Sequence, residues 1–187
     1  GTAFIRRSLL TVLAKFLYAV AFKRARTVFF QNRDDCELFA ASGLVRRAQI
    51  RLLPGSGIDL AHFDVPAGGR PARRNFLMFS RAVADKGVRE CVAAARLMRQ
   101  TWPDARFRLL GFLDVANRTA ISADEVQAWV RDGIIEYCDP VSDVRPFLAD
   151  ADFVVLPSYR EGLSRVLLEA AAMGRPTWEP SAPRAAR

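Results

Sequence analysis

The chain has 187 residues, 51% hydrophobic and 26% charged, the makeup of a globular protein with room for one sizeable core and an appendage. Its formal net charge of +8 comes almost wholly from arginine, since Lys15, Lys23 and Lys86 are the only lysines; an excess of that sign favours anionic partners such as phosphates or membrane surfaces, although an arginine- and alanine-rich composition accounts for it equally well. Cys36, Cys91 and Cys138 are widely spaced and form no CxxC pair, which excludes a disulfide framework and a zinc site and fits a reducing cytoplasm. No stretch interleaves aromatic residues with Lys and Arg, so nucleic acid is not expected as a partner.

In chain order, the first feature is the apolar run from Ser8 to Phe22, flanked by Arg6 and Arg7 and by Lys23, Arg24 and Arg26. It is shorter than the roughly 20 residues of a spanning helix, is interrupted by Lys15, and ends in basic residues rather than a small-residue cleavage site. It therefore reads as a helix of a domain whose other parts are missing, or as an amphipathic helix at a membrane face, ahead of a span or a signal peptide. Thr27–Phe30 is a short strand candidate and Asp34–Ala41 a helix. Arg46–Asp64 holds a strand and a glycine turn, and a segment of linker character runs on to Arg74.

From Asn75 onward, strands and helices alternate, which predicts an α/β fold with a Rossmann-like, doubly wound parallel sheet. The predicted elements are strand Asn75–Ser80, helix Gly87–Gln100, strand Arg106–Leu110, helix Ser122–Asp132, strand Ile134–Tyr137, helix Ser142–Ala149, strand Asp152–Leu156 and helix Gly162–Met173, closed by Gly174. Ser122 with Glu125 three later has the spacing of a capping box. Thr177–Arg187 carries prolines where a further apolar strand is wanted, and reads as a truncated or frame-shifted tail. The expected organisation is a remnant of a second domain over 1–52, a turn and linker over 53–74, a Rossmann-like domain over 75–176 and an atypical tail over 177–187. The opening Gly1 fits a fragment.

Parallel sheets bind ligands at the carboxyl ends of their strands. After the first strand of the main domain come Arg81 and then Asp85, Lys86 and Gly87 at a helix start; two cations beside helix N-terminal amides suit a diphosphate. After the fourth come Glu161 and Glu169, eight apart and about 12 Å of rise if helical throughout, with Gly162, Leu163 and Ser164 between them. Each feature alone reads as readily as a solvated loop or helix.

Their combination is what resembles a family. Gly55-Ser56-Gly57-Ile58-Asp59, Arg81 with Lys86, Asp143-Val144, and Pro157-Ser158-Tyr159-Arg160-Glu161-Gly162 followed by Glu169 and Gly174-Arg175-Pro176 resemble the C-terminal half of retaining GT-B glycosyltransferases, the group 1 glycosyl transferases with a Glu-x7-Glu motif. Phe30-Gln31-Asn32 with Asp34 and Asp35, and Asp85-Lys86-Gly87-Val88, are similar to the branch acting on polyprenyl-diphosphate-linked glycans. The likeness covers roughly residues 8–176.

That resemblance implies a nucleoside-diphosphate sugar as donor, a UDP-sugar favoured, and a lipid-linked or glycan acceptor in surface polysaccharide biosynthesis. It implies no cofactor and no metal, and work at the inner face of the cytoplasmic membrane, with peripheral membrane contact. Arg81 and Lys86 would hold the diphosphate, Glu161 the donor sugar, the amides of Gly162, Leu163 and Ser164 the phosphates, and Glu169 the ribose. The base would lie near Tyr137 to Val141, and Gly57 would line the site. Arg81, Lys86 and Glu161 would be the catalytic group. Cys138 or Asp139 stands where the family usually has a glycine. His62, the only histidine, lies in the linker and does not replace the family's missing histidine. A donor-binding fragment without turnover, a partner-binding fragment and a basic membrane-surface module are the other readings.

Overall fold

The computed structural model describes residues 9–180, apart from 54, 56, 65–72, 114 and 160. Two compact units divide the described residues: those up to 57 with 161–164, and 58–159 with 165–180. Residues 161–164, which the sequence reading places within 75–176, fall with the smaller unit. The expectation for Thr177–Arg187 lies outside the described residues from 181 onward, as does the linker over 65–72.

In the smaller unit, helix α1 (Leu9–Lys23) leads to strand β1 (Val28–Phe30), helix α2 (Arg33–Ala41), a 3-10 turn (Arg47–Gln49) and strand β2 (Ile50–Leu52). β1 and β2 pair in parallel, Val28 against Ile50 and Phe30 against Leu52. Val28, Phe30, Phe39 and Val45 form the core, with Phe22 packed on it. Gln49, buried, is satisfied from both ends: its amide donates to the Phe22 carbonyl at 3.1 Å and its oxygen accepts from the Arg46 N–H at 3.0 Å. Such pairing removes the penalty of a buried polar group. Leu9, Val12, Leu13, Phe16, Leu17 and Val20 are exposed along one stripe of α1. No described helix is long and apolar enough to cross a membrane.

The larger unit carries β3 (Asn75–Phe79), α3 (Val88–Thr101), β4 (Arg106–Leu110), α4 (Ala123–Arg131), β5 (Glu136–Cys138), α5 (Arg145–Asp150), β6 (Phe153–Val155), α6 (Arg165–Ala172) and β7 (Thr177–Trp178). All five strands are parallel, in the order β5-β4-β3-β6-β7. Both faces are buried, as the continuous apolar runs require. Met78 and Leu109 face Val88, Val92, Val126 and Trp129 of α3 and α4. Their neighbours Leu77 and Leu110 face Leu148 of α5 and Ala170 of α6. The sheet is therefore doubly wound, and the strand order reverses between β3 and β6.

Four expectations need correction. α6 begins at Arg165 rather than Gly162, so residues 161–164 are non-helical and the 12 Å helical rise between Glu161 and Glu169 does not apply. The third strand lies at Glu136–Cys138, two residues beyond its expected start. The capping box is half formed: the Ser122 hydroxyl accepts from the Glu125 N–H at 3.2 Å, but the Glu125 carboxylate is held by Arg89 at 2.7 and 2.8 Å. A bidentate guanidinium outcompetes one backbone N–H for that carboxylate. Finally, Thr177–Trp178, read as unable to supply a strand, forms β7. The N–H groups of Val154 and Leu156 donate to the carbonyls of Pro176 and Trp178 at 2.9 Å. A proline at an edge can still accept, and the next described proline, Pro180, follows the strand's end.

The start of the larger unit folds onto it through Asp59, whose side chain accepts from the Ala61 N–H at 2.9 Å, an Asx turn. Phe63 then packs beside Leu148 and Val154 in the second core cluster.

Candidate functional site

The gap between β3 and β6, where the winding reverses, is the place at which an open parallel sheet leaves a crevice at its carboxyl edge. Two loops border it: 80–87 after β3 and 156–159 after β6. The first is shaped by a 3-10 turn, Ala84–Lys86. On one flank the Ala84 N–H donates to Thr119 at 2.7 Å and the Ile121 N–H to Ala82 at 2.9 Å. On the other flank the Asp85 carbonyl accepts from both the Tyr159 N–H at 3.0 Å and the Ser158 hydroxyl at 3.3 Å. Gly87, with φ of +75°, packs so tightly on Pro157 that a Cβ would strike the proline carbonyl. The two loops are thus joined backbone to backbone.

This places Arg81 and Lys86 on one loop. The Arg81 side chain is exposed and has no acidic partner among the described residues. Many other arginines are engaged: Arg47 by Glu37, Arg74 by Asp104, Arg89 by Glu125, Arg106 and Arg108 by Glu136, and Arg145 by Asp143. Lys86, half-buried, precedes α3, whose first amides have no partner within the helix. Cations and unpaired amides in one place favour an anion.

The carboxyl ends of β3, β4 and β5 are tied together. The Ser80 N–H donates to Leu110 at 3.0 Å, and the Gly111 N–H to Cys138 at 3.2 Å. The Tyr137 hydroxyl donates to the Gly111 carbonyl at 2.9 Å, so its polar end is engaged in holding two strands. Val141 is exposed on the following loop. Asp143 lies just before α5, its carboxylate accepting from the Arg145 N–H at 3.0 Å and from the Arg145 guanidinium at 2.8 Å. The guanidinium holds that carboxyl at about 2.

Glu169, the second glutamate of the motif, is 7% exposed in α6, with the Arg165 guanidinium 3.6 Å away. Burial raises its pKa, against smaller lowering effects from Arg165 and from His62. His62 also lowers Asp143 slightly, so the linker histidine belongs to this part of the larger unit. A buried carboxylate with one exposed cation beside it keeps acceptor capacity for hydroxyl groups.

The remaining candidates, Gly57, Glu161, Gly162, Leu163 and Ser164, belong to the smaller unit. There the Asn32 side chain makes three hydrogen bonds, one of them from its nitrogen to the Asp35 carboxylate at 3.1 Å. Its oxygen caps α2 by accepting from the Asp35 N–H at 2.7 Å, and its nitrogen donates to the Glu161 carbonyl at 3.0 Å. Gln31 lies so close to Gly162 that any Cβ would collide with it. The sequence offered Gln31 and Asn32 only as part of a likeness, and their hold on the glutamate loop is visible only in three dimensions. Asn32→Ser should keep the cap and lose the loop anchor, changing thermal stability by less than about 0.5 kcal/mol, whereas Asn32→Ala should cost about 1 kcal/mol. Equal unfolding midpoints for the two variants would contradict this division of labour.

Cys91, pushed up to about 12 by burial, is no nucleophile. Among the described residues no group of three His, Cys, Asp or Glu could hold a metal ion. A cavity of about 130 Å³ lined by Arg99, Pro103, Phe107 and Glu136 lies at the amino ends of β4 and β5, opposite the switch point.

Comparison with known proteins agrees with this fold. Residues 73–177 match the family described as glycosyl transferases group 1. A Campylobacter jejuni protein named N,N'-diacetylbacillosaminyl-diphospho-undecaprenol alpha-1,3-N-acetylgalactosaminyltransferase is 28% identical over 94% of the chain and 48% of its own length. A Pseudarthrobacter chlorophenolicus D-inositol 3-phosphate glycosyltransferase is 32% identical over 64% of the chain and 31% of its own length. The chain thus spans about half or less of these relatives. Among solved structures, sucrose-phosphate synthase from Thermosynechococcus elongatus superposes with a TM-score of 0.72 at 21% identity, over 97% of the chain and 48% of that one. Anabaena HepE, solved with UDP and glucose, gives 0.66 at 19%, over 90% and 49%. These likenesses are of fold, the GT-B type. With a doubly wound sheet, a cationic loop at its switch point and a family match over more than half its length, the chain belongs to the glycosyl transferases group 1.

Proposed function

We propose that this chain binds the donor of a retaining glycosyltransferase, a nucleoside-diphosphate sugar with UDP-sugars foremost. The observation that supports this most is the bonding of the loop carrying Arg81 and Lys86 to the loop after β6 at the switch point. Two cations and the first amides of α3 there would neutralise the charge that develops on a departing diphosphate, the kind of preorganised electrostatics that accelerates group transfer. In this reading Glu161 accepts from the donor sugar hydroxyls, the amides of Gly162, Leu163 and Ser164 meet phosphate, Glu169 takes the ribose hydroxyls, the base lies against Tyr137 to Val141, and Gly57 belongs to the donor-binding set. The acceptor is a polyprenyl-diphosphate-linked or other glycan at the inner face of the cytoplasmic membrane, in surface polysaccharide synthesis. The diphospho-undecaprenol in the Campylobacter relative's name supports that class.

The test is isothermal titration with UDP, GDP and ADP. One nucleotide should bind saturably, and Glu169→Ala and Lys86→Ala should each weaken it at least about tenfold, the worth of a charge-assisted hydrogen bond. No binding by chain shown to be folded would remove the reading.

Glu169 also predicts a pH signature. Only its ionised form is a pure acceptor, and burial holds its pKa above the ordinary glutamate value. Affinity should therefore fall as pH drops, beginning on the alkaline side of that value. Stability should move oppositely. Between the unfolded and the raised folded pKa the native state binds more protons, so this residue's contribution improves as pH falls. The difference between wild type and Glu169→Gln, followed by titration and by thermal unfolding across that window, isolates both effects; parallel behaviour of the two proteins would refute them.

A further inference from the structure

Resting on the donor-site reading above, we propose that Tyr159 and Glu90 are a positioning pair for the diphosphate: Tyr159 keeps the carboxylate of Glu90 engaged, away from the electropositive start of α3. Glu90 is in the first turn of α3, three residues after Gly87. Its side chain accepts a hydrogen bond from the Tyr159 hydroxyl. The backbone of the same tyrosine donates to Asp85, next to Lys86. One residue of the β6 loop therefore grips the β3 loop at its carbonyl and the helix that follows it at a carboxylate.

The electrostatics explain why such a grip matters. A carboxylate in a helix's first turn is attracted to the same unpaired amides that would hold a phosphate. Left free, Glu90 would compete with the diphosphate for that end of α3 and repel it. Arg89, the other charged residue of this turn, is committed to Glu125 and acts on Glu90 only through space, so it does not hold that carboxylate. A tyrosine hydroxyl can hold the anion without adding a further positive charge beside Lys86 and Arg81.

The pair differs from a merely structural contact in what should rescue it. UDP and UMP are titrated into wild type, Tyr159→Phe, Glu90→Gln and the double variant. Tyr159→Phe should lower UDP affinity about five- to tenfold and UMP affinity less than about twofold. Adding Glu90→Gln should restore UDP binding to within about twofold of wild type, because the competing charge is gone. Unchanged UDP affinity in Tyr159→Phe, or equal loss of UDP and UMP without rescue, overturns the proposal. Hydrogen exchange of the unliganded proteins separates this from failure of the donor-site reading. If wild type binds no nucleotide, the donor-site reading fails. The grip then stands if exchange at the Gly87 and Tyr159 amides rises more than about fivefold in Tyr159→Phe with the Ala95 amide unaffected, and falls if it does not.

Discussion

Replacing Gly87 with alanine should destabilise the larger unit by about 2–4 kcal/mol, against about 1 kcal/mol for the same change at Gly133. Both glycines have positive φ, +75° and +66°, so alanine meets the same left-handed strain of about 1–2 kcal/mol at either. Their surroundings differ. At Gly133 the nearest atom to a new Cβ is the end of the Arg99 side chain, 4.0 Å away, whereas at Gly87 it is the backbone carbonyl of Pro157. That carbonyl cannot swing aside as a side chain would, because Ser158 and Tyr159, which follow it, are bonded to Asp85. The loops must part. Each kcal/mol lowers the unfolding midpoint of a protein this size by about 2–4 °C, so calorimetry should read roughly 4–16 °C for Gly87→Ala and about 2–4 °C for Gly133→Ala. Nucleotide affinity should also fall for the first variant alone, since Lys86 adjoins the displaced residue. Equal shifts would mean that the close approach of the two loops contributes nothing.

Leu148→Ala should cost about 2–5 kcal/mol, a loss comparable to the upper end for Gly87, by a different route. Leu148 is fully buried in α5, the short helix that carries the chain from β5 back across the sheet to β6. It packs with Leu77, Leu110, Val154 and Ala170. Four strand and helix partners from both sides of the switch point fix its walls, so the site has little freedom to collapse. Leu148→Met, nearly equal in volume, should stay within about 1.5 kcal/mol. Urea unfolding of both variants gives the answer: similar midpoints would place α5 outside the cooperative core.

Much of this was legible in the residues. β4 lies at Arg106–Leu110 as expected, and the alternation of strands and helices from Asn75 onward gave the doubly wound class because strand periodicity and helix amphipathicity are local properties. Ser122 was legible as a cap for the same reason. The arginines were not. Arg106 and Arg108 in β4 looked like part of a diffuse positive charge, but Glu136 accepts from both, and Arg108 reaches Asp150 of α5 at 2.6 Å. Those partners are about 30 and 40 residues away in sequence, and nothing in composition distinguishes a paired guanidinium from a free one.

The sequence by itself determined the family, the order of elements and the residues that carry charge at strand ends, since each depends on residue type, spacing and near neighbours. Tertiary structure decided the rest. It drew Tyr159 to both Asp85 and Glu90, assigned Asn32 to the Glu161 loop, let a proline-bounded pair become β7, and left Arg81 without an acid among the described residues while others were paired. Each of these is a contact between segments far apart in the chain, and its free energy comes from a partner that no local pattern specifies.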